Sequence, residues 1–167
     1  FTDDTKPRRK AGFLVSGDRI PREDPMKAVI FHNPACGTSR NVLALMRHAG
    51  VEPDVIEYLS SPPTRDRLVE LIQRGGLTVR EAIRQKDTPY IALGLDDPAR
   101  TDDELLTAML AHPVLINRPF VETDRGVRLA RPSEVVLELL PPITEPFPKE
   151  DGEMILPASD PMQPRGR

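Results

Sequence analysis

One cysteine, no tryptophan and no long apolar run bound what this chain of 167 residues can be. A single thiol excludes a disulfide framework and fits a reducing compartment, so a cytoplasmic protein is expected. No apolar stretch approaches the ~18–20 residues needed to span a bilayer as a helix. Aromatics are scarce, with five phenylalanines and two tyrosines, which argues against a platform for stacking nucleic-acid bases. The charges nearly cancel, 23 basic against 26 acidic for a net of −3, so neither nucleic acid nor an anionic membrane is a general partner. Any site for an anion must be local.

What is present reads as one domain with two polar ends. Residues Phe1–Pro25 are charged and lack sustained periodicity and the apolar core of a secretory signal, so they read as a disordered leader. From Pro141 to Arg167 there are seven prolines, the pattern of a loosely held tail. The folded body is expected over 26–154, with 155–167 as a flexible end. Within it a strand, Lys27–Phe31, leads through a polar turn to a helix, Ser39–Ala49, closed by Gly50. A second strand, Asp54–Leu59, is stopped by Pro62-Pro63, and Thr64 caps a helix over Arg65–Arg74. Thr78-Val79-Arg80-Glu81 and Thr101-Asp102-Asp103-Glu104 both fit the capping box and predict helices running to about Lys86 and Ala111. Phe120–Glu122 and Val127–Ala130 read as a hairpin, and Ser133 as the cap of a last helix, Glu134–Leu140. A β-α-β unit, a helical insert and a β-β-α unit around one small mixed sheet form the plan of a thioredoxin-like α/β fold.

The chemistry concentrates at Cys36. It stands in the turn His32-Asn33-Pro34-Ala35-Cys36-Gly37-Thr38-Ser39-Arg40, between a strand's end and a helix's first turn. There the unpaired N–H groups and positive end of the helix dipole favour thiolate, the nucleophilic form. Position 39, where a C-x-x-C redox motif places its second thiol, holds Ser39. An adduct on this sulfur must therefore be released by a thiol from outside the chain. His32 reads either as an ion-pair partner of the thiolate or as a satisfied edge histidine, and Ser39 as a donor to a bound oxyanion, a helix cap, or both. His48 and His112 fall on solvent-facing helical positions. With no acid in the loop and no second cysteine, no metal site is expected. The phosphatase loop C-x5-R is absent, since Val42 occupies its arginine position and Arg40 comes two residues too early. An anion clamp must then come from distant arginines. Arg118 and Arg131 each precede a proline, which biases them to extended backbone flanking the hairpin. Arg84 follows Arg80 by four residues, a like-charge pair on the expected helix.

These segments together resemble the glutaredoxin-coupled arsenate reductases. The resemblance rests on Ile30–Arg40 (IFHNPACGTSR), Pro62-Pro63, Leu115–Pro119 (LINRP) and Arg131–Val136 (RPSEVV), and runs from about Lys27 to Gly152. It implies a thioredoxin-like sheet, a catalytic cysteine at Cys36 and an arginine triad at Arg84, Arg118 and Arg131. His32 and Ser39 match residues that assist the cysteine, with Gly37 and Thr38 alongside them in the substrate loop. Pro119 is expected to be cis. It further implies arsenate as substrate, glutathione as co-substrate, glutaredoxin as protein partner, and neither a metal nor a bound organic cofactor. One departure is Ala130, where some relatives carry a further cysteine. Two rival readings share the fold: a regulatory protein that binds RNA polymerase, and a reductase of another thiol or oxyanion. Regulatory members typically keep a C-x-x-C switch, which Ser39 removes.

Overall fold

The computed structural model describes residues 24–158. Most of the expected leader, and the chain beyond residue 158, lie outside them. Strand β1 (Ala28–His32) enters helix α1 (Gly37–His48), and β2 (Asp54–Glu57) returns parallel to it, pairing His32 with Glu57 at its end. Helix α2 (Arg65–Arg74) follows, then a long irregular insert, helix α3 (Asp102–Ala111) and a short 3-10 turn, Pro113–Leu115. Strands β3 (Phe120–Thr123) and β4 (Gly126–Leu129) form the hairpin, with Asp124 and Arg125 as its turn. Strand order is β2-β1-β3-β4, with β3 antiparallel to β1. This is the mixed, thioredoxin-like sheet that the order of elements predicts.

Strand alternation sends the apolar residues into two cores, one on each face. Phe31, Phe120 and Val127 meet α2, α3 and the insert. Ala28, Ile30 and Val121 meet α1 and the 3-10 helix Ser133–Leu139. Val42, Leu45 and Met46 give α1 a fully buried stripe. Truncating Leu45 to alanine would cost about 2–5 kcal/mol and loosen the helix that carries the sulfur. The stop of α1 is chemical. Gly50 takes φ +81, its N–H bonds to the Arg47 carbonyl, and the Val51 N–H bonds to that of Met46, the paired bonds of a glycine C-cap. Thr64 and Thr101 cap α2 and α3 as expected, and Thr101 completes its box with Glu104. Among the described residues no helix is long and apolar enough to cross a membrane.

Several expectations are corrected. No helix spans Thr78–Lys86. Thr78 and Glu81 exchange the capping-box bonds, but the chain makes only a turn before Ile83 bridges to Ile116. The Arg84 N–H then bonds to the Leu115 carbonyl at 2.7 Å and the Asn117 N–H to Ala82 at 2.9 Å. Tertiary pairing takes the backbone groups that a longer helix would have used. Arg80 and Arg84 are thus no pair on one helical face, and Arg80 turns away to bind the carbonyls of Leu95, Asp97 and Arg100. The last helix is 3-10 over Ser133–Leu139, and Ser133 makes no capping bond. The second strand ends at Glu57, short of Leu59.

The proline-rich end is not loose where it is described. Phe147–Pro148 (β5) and Met154–Ile155 (β6) form a small hairpin, and Ile143, Phe147 and Ile155 are buried against α1. Prolines suit this role because it needs buried side chains and few backbone donors.

Candidate active site

The site lies at the carboxyl ends of the parallel strands β1 and β2, where loops of an α/β sheet leave a crevice. Asn33 directly follows β1, and its Oδ1 accepts from the Ala35 N–H at 2.9 Å. The Cys36 N–H bonds to the Asn33 carbonyl at 3.0 Å, so the loop turns tightly to present the cysteine. Helix α1 begins at Gly37, two residues before the expected start, and this makes Cys36 itself the N-cap. Its sulfur occupies the position of an ordinary capping oxygen and faces the Ser39 N–H, without closing a cap bond of good geometry.

Cys36 is partly exposed and free. Burial pushes its thiol up, but the Ser39 N–H and the guanidiniums of Arg118 and Arg131 outweigh it, and the thiol sits below its usual value. Arg131 Nη1 donates to Cys36 Sγ at 3.7 Å and to the Arg118 carbonyl at 3.2 Å. Arg118 is buried, 8 % exposed, and is anchored by its Nη1 to the Val114 carbonyl. Both arginines precede cis prolines, Pro119 as expected and Pro132 besides. The Ile83–Ile116 bridge brings Arg84 alongside. Burial, then the charges of Arg118 and Arg131, pull its guanidinium below the arginine range, while Cys36 and Asp87 act the other way. Among the described residues no carboxylate forms an ion pair with any of the three, and the buried Nε atoms of Arg84 and Arg118 have no partner at all. Cationic groups are gathered here against their own repulsion, with donors left unused.

His32 and Ser39 hold the loop from beneath. His32 Nδ1 and Ser39 Oγ are 2.7 Å apart, and Ser39 Oγ accepts from the Asn33 N–H at 3.0 Å. Ser39 is fully buried, so its hydroxyl is a brace inside the first turn rather than its cap. Burial lowers the His32 pKa, Glu57 opposing and Arg40 and Arg47 adding to the fall. A neutral ring bonded to Ser39 is a support for the loop, not an ion-pair partner of the thiolate. Gly37 and Thr38 lie beside the sulfur in the first turn, half-buried.

Arg40 does not join the clamp. It forms a bidentate pair with Glu150 at 2.7 and 2.9 Å and donates to the Pro34 carbonyl at 2.8 Å. Glu150 follows β5, and its N–H bonds to Asn41 Oδ1 at 3.0 Å. The hairpin end of the chain thus clasps the nucleophile loop. Lys149, paired with Glu134 at 2.8 Å and with Glu153, fixes that clasp from the other side. His48 and His112 are exposed, as their positions predict.

The sequence reading missed Tyr58. It follows β2 directly, and the register that pairs His32 with Glu57 sets it beside Asn33. Its side chain is fully buried, and its hydroxyl has no hydrogen-bond partner. A polar-tipped aromatic one residue past a parallel strand, level with the loop, was the available signal.

Comparison with known proteins finds chains similar to this one over most of its length. An arsenate reductase of Rhizobium meliloti (strain 1021) is 61 % identical over 134 residues, covering 80 % of this chain and 96 % of the relative. One from Escherichia coli (strain K12) is 56 % identical over 128 residues, covering 76 % and 91 %. The solved structure of an arsenate reductase from Vibrio cholerae superposes with a TM-score of 0.67 at 44 % identity, covering 70 % of this chain and all of that one. The profile of the ArsC family matches residues 31–139, a span that holds the thiol loop and all three unpaired guanidiniums, and the chain belongs to that family.

Proposed function

We propose that this protein is an arsenate reductase in which Cys36 is the nucleophile and Arg84, Arg118 and Arg131 hold the substrate. One observation carries the reading: three guanidiniums, two of them with buried and unpartnered Nε groups, gather around a thiol whose pKa is lowered. The fold holds such a group of cations at a cost that an anion would offset, and a tetrahedral oxyanion offers several acceptors to share among them. Arsenate near neutral pH carries one or two negative charges and repels a thiolate. The guanidiniums offset that repulsion and stabilise charge that builds at the oxygens as sulfur attacks.

The steps balance as follows. The Cys36 thiolate attacks As(V), an S–As bond forms, and one As–O bond breaks with release of water after protonation. The glutathione thiolate then attacks arsenic, forming a second S–As bond as a second As–O bond breaks with release of water after protonation. A further thiol, on glutaredoxin, takes up that sulfur as a mixed disulfide. As the glutaredoxin sulfur attacks the glutathione sulfur, the electron pair of the glutathione S–As bond stays on arsenic, which becomes As(III) while still bound to Cys36. Water then cleaves the remaining S–As bond, releasing arsenite and returning Cys36 as thiolate. The chain's single cysteine supports an external source for both reducing thiols. Ser39 leaves no intramolecular disulfide for this loop to form, which also speaks against a redox-regulated polymerase-binding role. The work is arsenic detoxification in a compartment rich in glutathione.

The test is a coupled assay with glutathione, glutaredoxin, glutathione reductase and NADPH. NADPH should be consumed only when arsenate is added, and arsenite should accumulate in step. Turnover without glutaredoxin at the full rate would remove that partner, and no arsenate-dependent turnover would end the reading.

A further inference from the structure

We propose that the Tyr58 hydroxyl is a fourth contact to the oxyanion, working with Arg84, Arg118 and Arg131. The inference rests on the reading of the site as an arsenate site and adds a residue to it. Tyr58 has no exposed surface, and its ring packs in the core with Phe31, Leu68 and Phe120. A phenylalanine would fill that space equally well and bury no polar atom. Among the described residues the hydroxyl nevertheless closes no hydrogen bond of good geometry, a costly state that a ligand would relieve. Its position comes from the ladder: the β1–β2 register places it beside Asn33, three residues before the nucleophile. The Asn33 side chain lies close enough to weigh on this phenol, but it closes no hydrogen bond of good geometry with it.

The chemistry fits an oxyanion that changes its protonation. Burial, the first influence on this phenol, raises its pKa; the charges of Arg118 and Arg84 and the Asn33 side chain oppose, and Cys36 adds to the rise. Tyr58 is therefore a neutral group that both donates and accepts. A guanidinium only donates. The phenol can thus bond an As–OH oxygen as readily as an As–O⁻ oxygen, and it adds no further charge to a crowded cationic cluster.

The test compares Tyr58→Phe with its parent in two backgrounds. In Cys36→Ser protein, where arsenate binds without reacting, calorimetry should show the dissociation constant weakened about 10-fold or more. In the wild-type background kcat/KM should fall by a similar factor. The melting temperature of the oxyanion-free protein should stay level or rise, because an unsatisfied polar atom has been removed; a purely structural tyrosine would lower it. A second measurement leaves Tyr58 in place. The chain has two tyrosines and no tryptophan, so Tyr90→Phe makes Tyr58 the sole near-ultraviolet chromophore of its kind. Arsenate should then produce a saturable tyrosine difference spectrum. Parent-like affinity and kcat/KM in Tyr58→Phe, or no difference spectrum in Tyr90→Phe, would overturn the inference while arsenate turnover by wild type stands. Failure of the Cys36→Ser parent to bind arsenate, together with no arsenate-dependent turnover by wild type, would overturn both readings together.

Discussion

Arg67 and Arg74 share Glu70 and Glu122 on one face of the sheet, while Arg84, Arg118 and Arg131 share a thiol at its end. Both clusters are built of the same residue, and both are partly or wholly removed from water. In the first, every guanidinium has a carboxylate, and the group ties α2 to β3. In the second, among the described residues, there is no paired carboxylate, and two buried Nε atoms have no partner. The paired cluster is complete and contributes to stability. The unpaired one is held together by the fold at a cost, which the oxyanion proposed above would offset. Pairing, more than arginine content, separates scaffold from site.

The largest test of that contrast removes the sulfur. Cys36→Ser should abolish arsenate-dependent NADPH oxidation while the circular dichroism spectrum and melting temperature remain those of the parent. Next come two exchanged losses. Arg84→Ala should lower kcat/KM by about 100-fold or more, with stability unchanged or slightly raised, because repulsion from Arg118 and Arg131 is relieved. Arg67→Ala should do the reverse: kcat/KM within about twofold of parent, and a stability loss of about 1–2 kcal/mol in urea denaturation. If both variants behaved alike, the distinction between the clusters would be wrong.

Smaller effects sharpen it through pH. Alkylation of Cys36 by iodoacetamide, followed against pH, should turn on below the range of an ordinary cysteine, and Arg131→Ala should move that midpoint upward. In the paired cluster, burial acts against ionisation of Glu122, but Arg67 and Arg74 prevail and its carboxyl lies below the usual range. A carboxyl whose folded pKa is depressed contributes stability at pH values above its unfolded pKa. That contribution fades as pH falls through the folded value. Glu122→Gln should therefore lower stability at neutral pH and flatten its decline in acid, read from melting temperatures between about pH 3 and 7. An unchanged acid slope would mean that Glu122 is not the group responsible.

Much of this was legible in the residues. The apolar strand before Cys36, the capping threonines and the hairpin turn are local signals, and local chemistry decided them. Cys36 could be read from its turn, and the pre-proline arginines from their dipeptides. The failures share a cause. Thr78–Glu81 carries a sound helix start, yet Ile83 pairs with Ile116 more than 30 positions away, and that pairing is what brings Arg84 to Arg118. Prolines after residue 141 resemble a tail until Phe147 and Ile155 find α1. Tyr58 looks like any core aromatic until the register shows where its hydroxyl ends. Each depends on a partner distant in the sequence, which periodicity and capping rules do not see.

The clasp between Glu150 and Arg40, and the bond from Arg131 to Cys36, span 110 and 95 positions of chain. During translation the sulfur therefore emerges long before the side chains that activate it. A ribosome-bound fragment that has yet to add Arg118 and Arg131 lacks the two guanidiniums that lower the thiol's pKa in the folded protein. The thiol's electrostatic setting is therefore completed late, by segments that the chain adds 82 and 95 residues after the sulfur.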